Sequence, residues 1–159
     1  MPPSAGDRFP SVMIKEATAE GPRDVDPAAL FAGKQVVLFT LPGAFTPTCS
    51  TSHLPGYVAR KGEFTARGVD LVACLSVNDA WVMQAWAEAH GALGTIVMLA
   101  DGTAALSKAL GIDVDLPGLG VRCRRGMLTI NDGVIGLVAL EAPGRLEVSG
   151  ADACLMSLA

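Results

Sequence analysis

Along the chain, apolar positions switch repeatedly between runs that suit strands and spacings that suit helices. Residues 35–41 form a β-branched, apolar run suited to a buried parallel strand, and residues 50–67 carry helical spacing. Residues 69–77 predict a strand, 80–90 a helix capped by Asn78 or Asp79, 95–100 a strand, and 103–110 a helix stopped at Gly111. Further on, 126–131 and 134–140 read as strands joined at Asn131-Asp132-Gly133, residue types that tolerate the positive φ of a tight turn. A closing helix begins near Ala151. Upstream, 9–17 predicts an edge strand or extended arm, and 21–33 reads as turns with a short helical start at Asp26-Pro27-Ala28-Ala29-Leu30.

Parallel β-α-β units followed by an antiparallel hairpin and a last helix are the order of a thioredoxin-like fold. The expectation is α/β: a central mixed β-sheet with flanking helices and a C-terminal β-hairpin plus helix, in a single domain over 1–159. The length suits one core, with no linker-like stretch. Half of the residues are hydrophobic, yet the longest apolar runs fall far short of a membrane span. A net charge of −4 and only 5% aromatic residues argue against a nucleic-acid surface, and the cluster Arg122-Cys123-Arg124-Arg125 by itself reads as a solvated loop. The N-terminus lacks the features of a secretory signal. The four cysteines have neither paired zinc spacing nor the density of a disulfide scaffold. Reduced thiols in the cytoplasm are therefore expected, or in an organelle if a transit segment was removed.

The chemistry gathers between Leu41 and Cys49, where the chain leaves a strand, turns through Pro42, Gly43 and Pro47, and delivers a cysteine at a helix start. Strand ends of open α/β sheets are ligand sites, and the unpaired N–H groups and dipole of a first helical turn favour a negative sulfur. In Cys49-Ser50-Thr51-Ser52 a serine stands where a dithiol motif has its second thiol. That leaves a monothiol exchanger, or a thiol that attacks something other than a disulfide.

The run Pro42-Gly43-Ala44-Phe45-Thr46-Pro47-Thr48-Cys49-Ser50, followed by His53-Leu54-Pro55-Gly56-Tyr57, resembles the active-site loop of the peroxiredoxins, in particular their type II, or peroxiredoxin-5, subfamily. Gly6-Asp7, Ser76-Val77-Asn78-Asp79, Val82-Met83-Gln84-Ala85-Trp86, Ala100-Asp101-Gly102 and Gly118-Leu119-Gly120-Val121-Arg122 extend the resemblance over nearly the whole chain. It implies a thiol-dependent peroxidase that reduces hydrogen peroxide and organic hydroperoxides through a cysteine sulfenic acid, with no metal, haem or flavin. Cys49 is then the peroxidatic nucleophile. Thr46 places a hydroxyl to hydrogen-bond both thiolate and peroxide, and Pro42 and Pro47 restrict the loop. The family's arginine from a later strand falls on Arg125, with Gly126 where the family has an aromatic residue, which implies looser packing there. His53 reads as a packing or hydrogen-bonding residue rather than a base, and Trp81 and Trp86 as core or subunit contacts.

Recycling depends on the other thiols. The spacing of Cys74 from Cys49 matches a second cysteine of plant-like members, which makes Cys74 a possible resolving residue; the competing reading is a buried, inert thiol. Cys123, between arginines, reads as exposed, and Cys154 lies in the last helix, beyond the Val148-Ser149 region where animal-like members carry their resolving cysteine. An external reductant is expected, glutathione with glutaredoxin or else thioredoxin. The family also implies a homodimer packed near the active-site loops, with no nucleic-acid or membrane partner. Two other readings stay open: a monothiol glutaredoxin-like exchanger, and a redox-sensing or holdase-like interaction protein.

Overall fold

The computed structural model describes residues 1–158. Its strands are β1 (Ile14–Thr18), β2 (Gly21–Val25), β3 (Gln35–Thr40), β4 (Leu71–Ser76), β5 (Val97–Ala100), β6 (Asp113–Leu116), β7 (Gly120–Cys123), β8 (Gly126–Asn131) and β9 (Val134–Leu140). Its helices are α1 (Pro27–Phe31), α2 (Leu54–Ala59), α3 (Lys61–Ala66), α4 (Ala80–Ala89), α5 (Ala105–Leu110) and α6 (Ala151–Ser157), with a π-helical turn at Cys49–His53. A seven-stranded mixed sheet runs β2-β1-β5-β4-β3-β8-β9, and β6 and β7 form a separate hairpin. Strands β3, β4 and β5 are parallel, whereas β1 and β8 flank them antiparallel.

The period of two in β3 divides the interior. Val37, Phe39 and Leu41 point into a core shared with Leu54, Tyr57, Phe64, Trp86 and Leu155, while Val36 and Leu38 face a second core with Phe31, Leu106 and Leu110. Helices α2, α3, α4 and α6 therefore cover one face, and α1 and α5 the other. The Phe39 and Tyr57 rings stack at 4.0 Å, fixing α2 directly over the strand that leads to Cys49.

Most predicted elements stand within a few residues of their expected bounds, and the turn after β8 has Asp132 at φ 47° and Gly133 at φ 80°. Asp79 is the cap of α4, its carboxylate accepting from Val82 N–H at 2.8 Å. Three differences have physical causes. The helix expected over 50–67 is broken into a π-helical turn and two short helices. Pro55 has no N–H to give to the Thr51 carbonyl, and the turn before it widens so that Leu54 N–H bonds Cys49 C=O. The predicted edge strand is internal, because β2, in a stretch read as turns, pairs outside it; its Pro22 is tolerated at an edge. The β6–β7 hairpin replaces an expected loop, its short strands alternating charged and apolar residues and staying largely exposed, which gives little apolar signal.

Candidate active site

Strand β3 ends at Thr40, and the chain passes through Pro42 and Gly43 before Pro47 opens the helical segment that holds Cys49. The loop is held from outside. Ala44 N–H donates to Asn78 Oδ1 at 2.9 Å, and Arg122 donates to the Pro42 and Val77 carbonyls, both at 3.3 Å. Glycine at 43 follows from this staple, because a Cβ there would lie 2.8 Å from Arg122 Nη1.

Cys49 has no solvent exposure. Arg125, immediately before β8, donates from Nη2 to its sulfur at 3.0 Å. The other guanidinium nitrogen, Nη1, donates to His53 Nδ1 at 2.9 Å, and His53 Nε2 lies 3.0 Å from the Ser149 carbonyl. These partners fix the tautomer: the carbonyl requires the proton on Nε2, which leaves Nδ1 as acceptor. Burial first, then the Arg125 charge, lowers the His53 imidazole to about 4. His53 is thus a neutral brace for a cation that reaches the sulfur.

Thr46 departs from expectation. Its hydroxyl donates to the Gly43 carbonyl at 2.7 Å rather than to the sulfur, which leaves its oxygen lone pairs to accept. Arg125 also forms part of the wall of a cavity of about 200 Å³, with Pro42, Thr48, Val114, Leu116 and Arg124. The site therefore combines a buried sulfur, a cation aimed at it and an adjoining, largely apolar space.

The chain matches the Redoxin family model over residues 4–155. It is 45% identical to peroxiredoxin-2E-2, chloroplastic, of Oryza sativa subsp. japonica, over 98% of this chain and 72% of that one. The chain belongs to the peroxiredoxins. Solved structures agree: reduced Prx3 of Vibrio vulnificus in complex with hydrogen peroxide has TM-score 0.94 and 46% identity, covering 99% of each chain. Peroxiredoxin 5 of Alvinella pompejana has TM-score 0.86 and 32% identity, over 99% of this chain and 98% of that one. This peroxiredoxin is of the type II, or peroxiredoxin-5, kind, has the thioredoxin-like fold and is a thiol-dependent peroxidase.

The other sequence readings fare differently in this peroxiredoxin. Gly126 does not loosen the packing: a Cβ there would meet Leu140 Cδ2 at 2.6 Å and the Ala139 carbonyl at 3.0 Å, so β9 fills the space. Cys123 is fully buried rather than exposed, and burial pushes its thiol up to about 12. The basic cluster is not a solvated loop, since Arg122 staples the active-site loop and Arg125 reaches the sulfur. Cys74 is buried in the same core as Cys49, and burial raises its thiol well above the ordinary range. Burial likewise pushes Cys154 up to about 11. Trp86 is core and donates to Ser50 Oγ at 3.0 Å, whereas Trp81 is exposed. The Arg122 staple and the buried Glu141 carboxylate left no separate signal in the sequence, because their partners are almost all backbone groups, which every residue carries.

Proposed function

We propose that Cys49 is the peroxidatic residue and that Arg125 and Thr46 are its catalytic partners. The contact between Arg125 Nη2 and Cys49 Sγ carries this reading, because it sets a permanent cation beside both the thiolate and the position of an attacked peroxide. The thiolate attacks one peroxide oxygen, the O–O bond breaks, and the departing oxygen leaves as water or alcohol once protonated. Cys49 becomes a sulfenic acid. The Thr46 oxygen accepts from the peroxide O–H, while Pro42 and Pro47 shape the approach. The cavity beside Arg125 suits the organic part of a small hydroperoxide.

A thiol then condenses with the sulfenic acid, releasing water, and a second thiol frees Cys49. The burial and raised thiols of Cys74, Cys123 and Cys154 support an external thiol, glutathione with glutaredoxin or else thioredoxin, over an internal one. Exposed Phe45 and Trp81 support a homodimer packed near the loop, and no prosthetic group is invoked. The compartment is one that keeps thiols reduced, the cytoplasm or an organelle.

Stopped-flow oxidation of Cys49 by hydrogen peroxide tests the reading. The expected result is reaction far faster than free cysteine, abolished in Cys49→Ser and sustained by glutathione and glutaredoxin, or thioredoxin, in a variant lacking the other three cysteines. Reaction no faster than free cysteine would return the site to a thiol–disulfide exchanger or a redox sensor.

A further inference from the structure

Glu141 is a buried carboxylate for which the reaction, as described, has no use. It stands just after β9, is 5% exposed, and makes no ion pair among the described residues. Its oxygens accept from the N–H groups of Glu147, Val148 and Ser149 at 2.7–2.9 Å and from the Ser149 hydroxyl at 2.7 Å. A carboxylate with this many donors fixes the segment that supplies them.

That segment carries the Ser149 carbonyl, which takes both the Tyr57 hydroxyl at 2.7 Å and His53 Nε2. His53 holds Arg125 Nη1. Meanwhile Glu141 N–H donates to the Arg125 carbonyl at 2.9 Å. The contacts close a ring, running from the Arg125 backbone through Glu141, Ser149 and His53 to the Arg125 guanidinium.

We propose that Glu141 is a positioning residue for the peroxidase reaction: by clamping residues 147–149 it places the Ser149 carbonyl, which orients His53 and so aims Arg125 at Cys49. The proposal rests on the roles given above to Cys49 and Arg125. Glu141 makes no hydrogen bond to the sulfur and stands in the wall of the cavity beside Arg125, its carboxylate oxygens taken up by residues 147–149. It acts by keeping the imidazole in one orientation, so that the guanidinium meets the sulfur without rearranging.

The test is a double-mutant cycle on the rate of Cys49 oxidation by hydrogen peroxide, with Glu141→Gln, His53→Leu and the pair. Removing the charge and one acceptor of the clamp is expected to slow oxidation by about tenfold. In the His53→Leu background the same change is expected to slow it by less than about twofold, since the route to Arg125 is already cut. The acid limb of the rate–pH profile is expected to move to higher pH in Glu141→Gln, as the sulfur loses part of its cation. Ser149→Ala, which removes one of the clamp's contacts and leaves the backbone carbonyl, gives a milder loss and serves if Glu141→Gln folds poorly. Full-speed oxidation in Glu141→Gln, equal losses with and without His53, or an unmoved pH profile would overturn the proposal. A parent protein that itself reacts no faster than free cysteine would instead overturn the assignment of Cys49.

Discussion

At the residue scale, two arginines three positions apart do different work. Arg125 contacts the Cys49 sulfur, whereas Arg122 contacts only carbonyls of the loop and its neighbours. Arg125→Ala is expected to slow peroxide reduction by about 10²–10³-fold, the usual cost of losing a group that stabilises developing charge. Arg122→Ala is expected to lose less, and steady-state peroxide consumption would settle the ranking; the reverse order would move the catalytic role to Arg122. The placing of Cys49 after a strand, at a helix start, was legible in sequence from the strand run and the Pro42, Gly43 and Pro47 turn, and its proposed role from the resemblance of the whole loop to the peroxiredoxins. The brace on Arg125 was not, since the contact with His53 joins residues 72 apart in sequence. His53 does hydrogen-bond, as the sequence suggested, but its partner depended on how β8 passes the helix.

At the scale of elements, β8 and β9 decide how firmly Arg125 is seated. Gly126 allows the Ala139-Leu140 backbone to lie directly against β8, and a side chain there must displace it. Gly126→Ala is expected to cost about 1–3 kcal/mol, measured as a shift in the denaturant midpoint at unchanged slope. An unchanged midpoint would show that Leu140 moves aside freely. The parallel strands and the hairpin at Asp132-Gly133 were readable because apolar runs and turn residues coincide. The short β2 and β6–β7 were not, because they lie at an edge or outside the main sheet and bury few apolar side chains. The broken helix after Cys49 was marked by Pro55, but helical spacing on either side concealed the break.

At the scale of the whole molecule, acid acts on the site and the fold together. In the unfolded chain His53 takes a proton near its ordinary 6.5, but in the folded protein only near 4. Between these values the unfolded state binds more protons, so stability falls as the pH drops, by on the order of 3 kcal/mol across the interval. Glu141 adds to the loss lower down. Burial raises its carboxyl, but the Ser149 hydroxyl and the three N–H groups outweigh this and leave it below the ordinary carboxylate range. Its contribution is present above that ordinary value and disappears as the pH falls through the lower folded value. Denaturant midpoints measured at about pH 7 and about pH 4.5 should therefore differ, and His53→Leu should narrow the difference. Equal midpoints in the parent would contradict this account of the buried imidazole.

On the role proposed for Cys49, its complete enclosure separates its two reactions by size. A small peroxide has far less bulk to bring past the π-helical turn than a folded partner has. A protein reductant brings a second sulfur on a folded surface, and exchange requires that sulfur in line with the bond being broken. On the proposed external recycling, such a sulfur reaches Cys49 only if the turn at Cys49–His53 opens, which would release His53 from Arg125 and Ser149. Under a burst of peroxide the enzyme should accumulate in its oxidised form, with opening of this one turn as the clock that returns it to service.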